Sequence, residues 1–367
     1  MRIDAAYSAS ALPYTNYTRL SPWQSIAILS VSRLEVANNQ WIASKREVVS
    51  HAESGNLWCS ADAQYLLDNI IGSIYFLILT IIDWLLGQSA KRKKPSMNIK
   101  GKVAVITGAA GGIGRAVANE MANRQVGSLA LVDKTEAVHE LAKEINQLAG
   151  RTVATGYPGD VTEDSFRSFV YRDVHEKHGV VNICVPAAGI TRDSLSVKVD
   201  KQTDSVVIYP GKTFRLVTEV NLIAPIYWAL ELVAGIADDR RKNGLKRWHH
   251  TEGVQGTIIF IGSVSSQGNK GQLSYSATKA GLEGAASTMN AEAIFHGVRC
   301  GIIHPGFTDT PMVRALGEEY IEQNIIPQTQ LRRLIKPEEI ADAICFMISN
   351  PAVSGSIWAD AGWRPAA

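Results

Sequence analysis

The sequence predicts an α/β fold, a doubly wound parallel sheet forming one domain over residues 97–367, preceded by an N-terminal extension over residues 1–96. Three observations carry this. Short β-branched runs such as "KVAVIT" (102–107) lack polar alternation, as strands buried on both faces do. Helical patterns separate these runs, which implies parallel neighbours covered on both sides. A glycine cluster, "TGAAGGIG" (107–114), falls directly between the first strand and the first helix. Composition agrees with an ordinary globular domain: 46% hydrophobic and 20% charged. A net charge of +2 excludes a strong electrostatic pull toward nucleic acid. Cys59, Cys184, Cys300 and Cys345 are scattered without ligand spacing, which suits buried thiols in a reducing compartment.

Taken in order, strands are expected at 102–107, 128–133, 152–158, 181–187, 256–263 and 297–305. Helices are expected at 113–124, 135–149 and 163–178, with further helical stretches between the later strands. In the second helix Leu141, Ile145 and Leu148 form one stripe, and Gly150 supplies the stop. "SVVIYPGKTF" (205–214) reads as a hairpin turning at Pro210-Gly211. A polar stretch (235–256) extends the end of a helix and carries the pair His249-His250. No further ligand is spaced to join that pair, so no metal is expected.

Residues 70–87 are apolar apart from Asp83, and as a helix they would span roughly 27 Å, close to a bilayer core. Lys91 to Lys94 would then hold the following domain on the cytoplasmic side. Two other readings stand beside this tether. The run fits an apolar helix packed on the domain or on another subunit. Alternatively, Met97 opens "MNIKGKVAVITG", a natural beginning that would make residues 1–96 a misplaced start. The expected location is cytoplasmic, free or at the cytoplasmic face of a membrane.

The glycine turn has a physical use. Gly108 can take a backbone conformation other residues resist, Gly112 lets the backbone approach a pyrophosphate, and Gly114 lets the helix pack on the sheet. The helix N-terminus adds free N–H groups and a positive dipole end. Asp133 ends the second strand; a carboxylate there accepts bonds from ribose hydroxyls and repels a 2′-phosphate, favouring NAD over NADP. "SYSATKAG" (274–281) places Tyr275 and Lys279 on one helix face. Alone, the pair fits any amphipathic helix. Next to a cofactor cleft, an ammonium one turn away would pull a phenol from its usual pKa of about 10 toward neutrality.

The spacing TGxxxGxG followed by YxxxK resembles the short-chain dehydrogenase/reductase family, over about residues 98–364. The resemblance implies a Rossmann-type domain and an NAD(P)-dependent oxidoreductase that interconverts a secondary alcohol and a ketone by hydride transfer. It implies catalytic roles for Asn221, Ser263, Tyr275 and Lys279, and cofactor contacts by Gly108, Gly112, Ile113, Gly114, Asp133, Asp160, Val161, Ala188, Gly189, Tyr275, Lys279, Pro305, Gly306 and Thr308. "WADAGW" (358–363) would supply the last strand, and a homo-dimer or homo-tetramer is expected. Three departures stand out. The family's NNAG is Pro186-Ala187-Ala188-Gly189 here, so support from two asparagine side chains must come from elsewhere. Ser263 lies one residue closer to Tyr275 than is usual, which leaves Ser265 as its competitor. Residues 193–221 and 235–256 are longer than the family needs. "GITRDSL" (189–195) resembles 3-oxoacyl-acyl-carrier-protein reductases, hinting at an acyl thioester. Apolar residues between Met312 and Ile335 would close over a substrate, with Arg314 available for an anionic group. The competing reading is a non-catalytic nucleotide-binding or membrane-tethered interaction protein on the same fold.

Overall fold

The computed structural model describes residues 97–363; the extension 1–96, its apolar run 70–87 and Cys59 lie outside the described residues. The chain alternates as expected: β1 (Val103–Thr107), α1 (Gly112–Asn123), β2 (Ser128–Asp133), α2 (Ala137–Ala149), β3 (Ala154–Pro158), α3 (Asp164–His178) and β4 (Ile183–Pro186). A small hairpin follows, β5 (Val197–Val199) and β6 (Val206–Ile208), then α4 (Gly211–Thr218), a π turn (Glu219–Ile223) and α5 (Ala224–Lys242). β7 (Gly256–Ile261), α6 (Leu273–Ala293) and β8 (Val298–Pro305) complete the centre. Short helices α7 (Pro311–Arg314) and α8 (Glu318–Tyr320) precede α9 (Pro337–Ser349) and β9 (Gly355–Ala359).

Seven strands form one sheet in the order β3-β2-β1-β4-β7-β8-β9, every neighbouring pair parallel. Both faces are apolar because successive side chains point to opposite sides. Ala104 and Ile106 of β1 join Val117, Leu141 and Ile344 beneath α1, α2 and α9. Val103 and Val105 join Val170, Trp228 and Leu282 beneath α3, α5 and α6. The chain winds outward in both directions from β1 and β4, so the crevice opens beyond Thr107 and Pro186.

Segment 211–242 is one continuous helical run, long and apolar enough to cross a membrane. Its Trp228, Leu232 and Ile236 are buried against the sheet, so the core uses its apolar face. Cys184, Cys300 and Cys345 are free and buried, and burial pushes the Cys184 thiol up to about 12.

Four expectations need correction. Helix α2 starts at Ala137, because Thr135 donates both its N–H and its hydroxyl to Asp133 Oδ1. Its buried stripe is Val138, Leu141, Ala142 and Ile145, while Leu148 is 88% exposed on the last turn. Pro210-Gly211 is not a hairpin turn: Pro210 caps α4, and Val206–Ile208 pairs backward with Val197–Val199 across a polar turn. The last strand is Gly355–Ala359, and "WADAGW" straddles its end, where Asp360 accepts the Gly362 N–H.

Candidate active site

The glycine turn closes on itself and on the end of β4. Gly108 has φ +65°, and a Cβ there would stand 2.8 Å from Ala188 Cα. A Cβ on Gly114 would stand 2.2 Å from the Gly108 carbonyl oxygen. At Gly112 (φ +52°) a Cβ would meet Thr310 Cγ2 at 3.2 Å, so bare backbone faces the cleft. The cleft is a cavity of about 290 Å³ lined by this turn, Asp133, Ala188, Gly189, Tyr275 and Lys279, among others. Asp133 Oδ2 accepts the Ala110 N–H at 3.0 Å, which fixes the carboxylate at the mouth of the turn. Backbone without side chains, the free N–H groups opening α1 and a carboxylate beside them fit a dinucleotide. Gly114→Ala is expected to lower unfolding free energy by about 1–3 kcal/mol, because backbone meets backbone and no side chain can yield. Denaturant titration checks this, and an unchanged midpoint contradicts it.

Support for the altered PAAG comes from β1. Thr107 accepts the Ala187 N–H through its carbonyl and the Ala188 N–H through its hydroxyl, both at 3.2 Å. Asn221, fully buried in the π turn, brackets Ile190: Oδ1 accepts the Ile190 N–H and Nδ2 donates to the Ile190 carbonyl, each at 2.8 Å. Such π turns interrupt helices at functional places. A Cβ on Gly189 would lie 3.5 Å from Asn221 Oδ1 and 3.9 Å from Lys279 Nζ, so the glycine keeps this space open.

Ser263 leaves β7 and caps a short turn, its Oγ accepting the Ser265 N–H at 3.1 Å. That hydroxyl also faces the Tyr275 phenol, closely enough to favour its ionised form. Ser265 Oγ accepts instead from Asn269 at 3.4 Å, so Ser263 is the serine that meets the phenol. Behind it, buried His304 has Nδ1 3.2 Å from the Ser263 carbonyl. Lys279 Nζ donates to the Ile261 carbonyl at 2.8 Å and lies 5.5 Å from the Tyr275 ring centre.

Without a cofactor, burial sets the acidity of the pair. Burial raises the Tyr275 phenol above its usual value, the Ser263 hydroxyl partly offsets this, and the Asp193 carboxylate raises it further. Lys279 is not among these causes, and burial drops its own ammonium to about 8. In the chain alone, desolvation outweighs the neighbouring cation.

A model of the short chain dehydrogenase family matches residues 102–321. The chain belongs to the short-chain dehydrogenase family. It is similar to the 3-oxoacyl-[acyl-carrier-protein] reductase of Escherichia coli strain K12, at 32% identity over 70% of this chain and 93% of that protein. The acetoacetyl-CoA reductase of a Synechocystis strain is 31% identical over 71% of this chain and 93% of its own length. A short-chain type dehydrogenase/reductase from Mycobacterium marinum shares the fold, with a TM-score of 0.61 at 24% identity, covering 72% of this chain and 96% of that one. As a short-chain dehydrogenase the protein is an NAD(P)-dependent oxidoreductase that interconverts a secondary alcohol and a ketone.

Within that family frame, the cleft gathers Gly108, Gly112, Ile113, Gly114, Asp133, Ala188, Gly189, Tyr275 and Lys279. Ser263 and Gly306 line an adjoining pocket of about 90 Å³, together with Tyr275. Asp160, Val161, Pro305 and Thr308 line neither. The Asp160 carboxylate is held by the Thr162 N–H and by Lys134 at 2.9 Å, which draws its pKa down to about 2. Thr308 is buried and donates to the Gly306 carbonyl. Arg314 is not free for an anionic substrate: it forks onto Asp309 at 2.6 and 2.7 Å and reaches Glu318. The sequence reading missed Thr310 and Pro311, which line the cleft against Gly112. Thr310 caps α7 by accepting the Val313 N–H, and the Thr-Pro pair is the signal that could have found it.

Proposed function

We propose that the protein reduces a 3-oxoacyl thioester with NADH, and that Tyr275 supplies the proton. One observation carries this reading: Tyr275 lines both the glycine-turn cleft and the adjoining pocket, where a ketone would meet a cofactor. The nicotinamide, when bound, supplies the hydride to the carbonyl carbon. The phenol O–H gives its proton to the carbonyl oxygen, so C=O becomes CH–OH. Ser263 Oγ, which lines the same pocket as the phenol, would hold that oxygen in place. Lys279 would bind the nicotinamide ribose through its remaining donors. The Asn221 amide makes one bond at each end to Ile190, and its second N–H and second lone pair would let it hold a water that links Lys279 to solvent.

A phenol held protonated by burial suits the reductive direction, since the acid is in its working form at neutral pH. The pocket walls of Phe307, Met312, Val313 and Leu316 suit an acyl group. For the cofactor, the Asp133 carboxylate stands at the cleft, where it would accept from ribose hydroxyls and repel a 2′-phosphate. The test is NADH consumption with acetoacetyl thioesters against a panel of simple ketones. A preference for the simple ketones contradicts the thioester reading. A cytoplasmic homo-oligomer accompanies this proposal.

Lys279 gives a separate check on the buried site. Each tenfold change in acidity is worth 1.36 kcal/mol, so a folded pKa of about 8 against 10.5 costs the ammonium about 3 kcal/mol. The unfolded chain binds this proton more tightly, so the cost is full below pH 8 and is relieved as pH rises toward 10.5. Without cofactor, the stability of wild type relative to Lys279→Met is expected to rise from about pH 7 to about pH 10. Thermal melts of the pair check this, and a difference independent of pH contradicts it.

A further inference from the structure

The described residues hold a groove of about 480 Å³ that the reaction above does not use. The 191–195 loop forms one side and the β5–β6 hairpin, with Tyr209 and Pro210, the other. It continues from the reaction pocket, since Thr191 and Asp193 line both. The hairpin is an addition to the fold: it stays outside the seven-stranded sheet. A lone hairpin is marginal in water, but this one is tied to the helix that carries Tyr275. The Tyr209 phenol is 2.8 Å from both the Arg192 carbonyl and Ser274 Oγ. Ser194 N–H donates to the Gly271 carbonyl, and Gln272 Nε2 to Asp193 Oδ2, each at 2.8 Å. The groove therefore has a fixed place relative to the proton donor.

Its lining mixes an aliphatic patch, Leu195, Val207, Ile208 and Pro210, with polar side chains and two cations, Arg192 and Lys198. Arg192 donates only to the carbonyl of its own neighbour, Thr191, while Lys198 sits in the field of the Asp200 carboxylate. The one acid in the groove, Asp193, has Oδ2 occupied by Gln272. The reaction pocket, at about 90 Å³, has room for about three water-sized groups. A substrate longer than a short ketone must therefore extend beyond it.

We propose that this groove is a second substrate subsite that takes the pantetheine arm of an acyl thioester, its phosphate held by Arg192 and Lys198. The arm is flexible and partly apolar with an anionic end, which matches a groove that sets an aliphatic patch beside two exposed cations. The proposal rests on the thioester reading, and the experiment separates the two. 4′-Phosphopantetheine and pantetheine are titrated calorimetrically into the full chain with NADH present, for wild type and for the Arg192→Ala/Lys198→Ala double variant. Both side chains are exposed, so the variant keeps the fold. Wild type is expected to bind the phosphorylated arm at least about tenfold tighter, and the double variant to lose that preference. Equal binding of the two arms by wild type, no binding at all, or an unchanged preference in the variant overturns the subsite. Reduction of an N-acetylcysteamine 3-oxobutanoyl thioester, which lacks most of the arm, reads the chemistry alone. Its rate is expected to be equal in both proteins, whereas KM for acetoacetyl-CoA rises about tenfold in the variant. An equal rise for both thioesters overturns the subsite. Failure of wild type to reduce either thioester, with the phosphate preference intact, sinks the reductase reading and leaves the subsite standing.

Discussion

Tyr275→Phe is expected to lower turnover by about 10²–10⁴-fold while leaving NADH affinity within about threefold. The substitution removes one oxygen and no ring, so the wall shared by the cleft and the pocket keeps its shape. What disappears is the phenol O–H, the proposed proton donor, which faces Ser263. In the proposed reading, cofactor binding would be spread over the glycine turn, Asp133 and Lys279, which line the cleft and which the change leaves in place. Single-turnover kinetics beside an NADH titration separate the two effects. A variant with full turnover removes Tyr275 from the chemistry; one that has lost NADH binding makes its role structural.

If the proposed preference for NADH holds, Asp133→Ser should reverse it. A carboxylate near a 2′-phosphate sets like charges a few ångströms apart, which costs about 1 kcal/mol per charge pair in water and several times more in a cleft. Removing it should improve NADPH affinity by about 10–100-fold. It should weaken NADH by about tenfold, through the loss of an acceptor for the ribose hydroxyls. Part of the NADH loss would come from the turn itself, because Asp133 Oδ2 also accepts the Ala110 N–H. Titration of both cofactors into both proteins decides the matter. Tighter NADPH than NADH binding by the wild type would contradict the assignment outright.

The parts of the site that were legible are those where residue type reports a backbone demand. Gly108 needs a positive φ and Gly114 needs the absence of a Cβ, so both are visible in a string of letters. Strands buried on both faces have no polar alternation to hide them, and β1, β2 and β7 fell where expected. Choices made by distant partners were not legible. Pro210-Gly211 has the chemistry of a turn, but the strand at 206–208 paired with 197–199 and left Pro210 to start a helix. Leu148 keeps the helical period yet lies in solvent. Arg314 reads as a free cation until Asp309 and Glu318 are seen to hold it. Burial of the Tyr275 phenol was not legible either, since helix spacing reports the nearby ammonium and says nothing of the depth of burial.

The central claim is that one phenol, at the junction of cleft and pocket, hands a proton to a thioester's 3-oxo oxygen. The most direct measurement follows NADH absorbance when acetoacetyl-CoA is added to wild type and to Tyr275→Phe, each saturated with NADH, with the product identified by mass. The account predicts one NADH consumed per 3-hydroxyacyl thioester formed by wild type, and at least a hundredfold slower conversion by the variant. Equal rates in the two proteins, or bound NADH and thioester with no conversion by wild type, would contradict it.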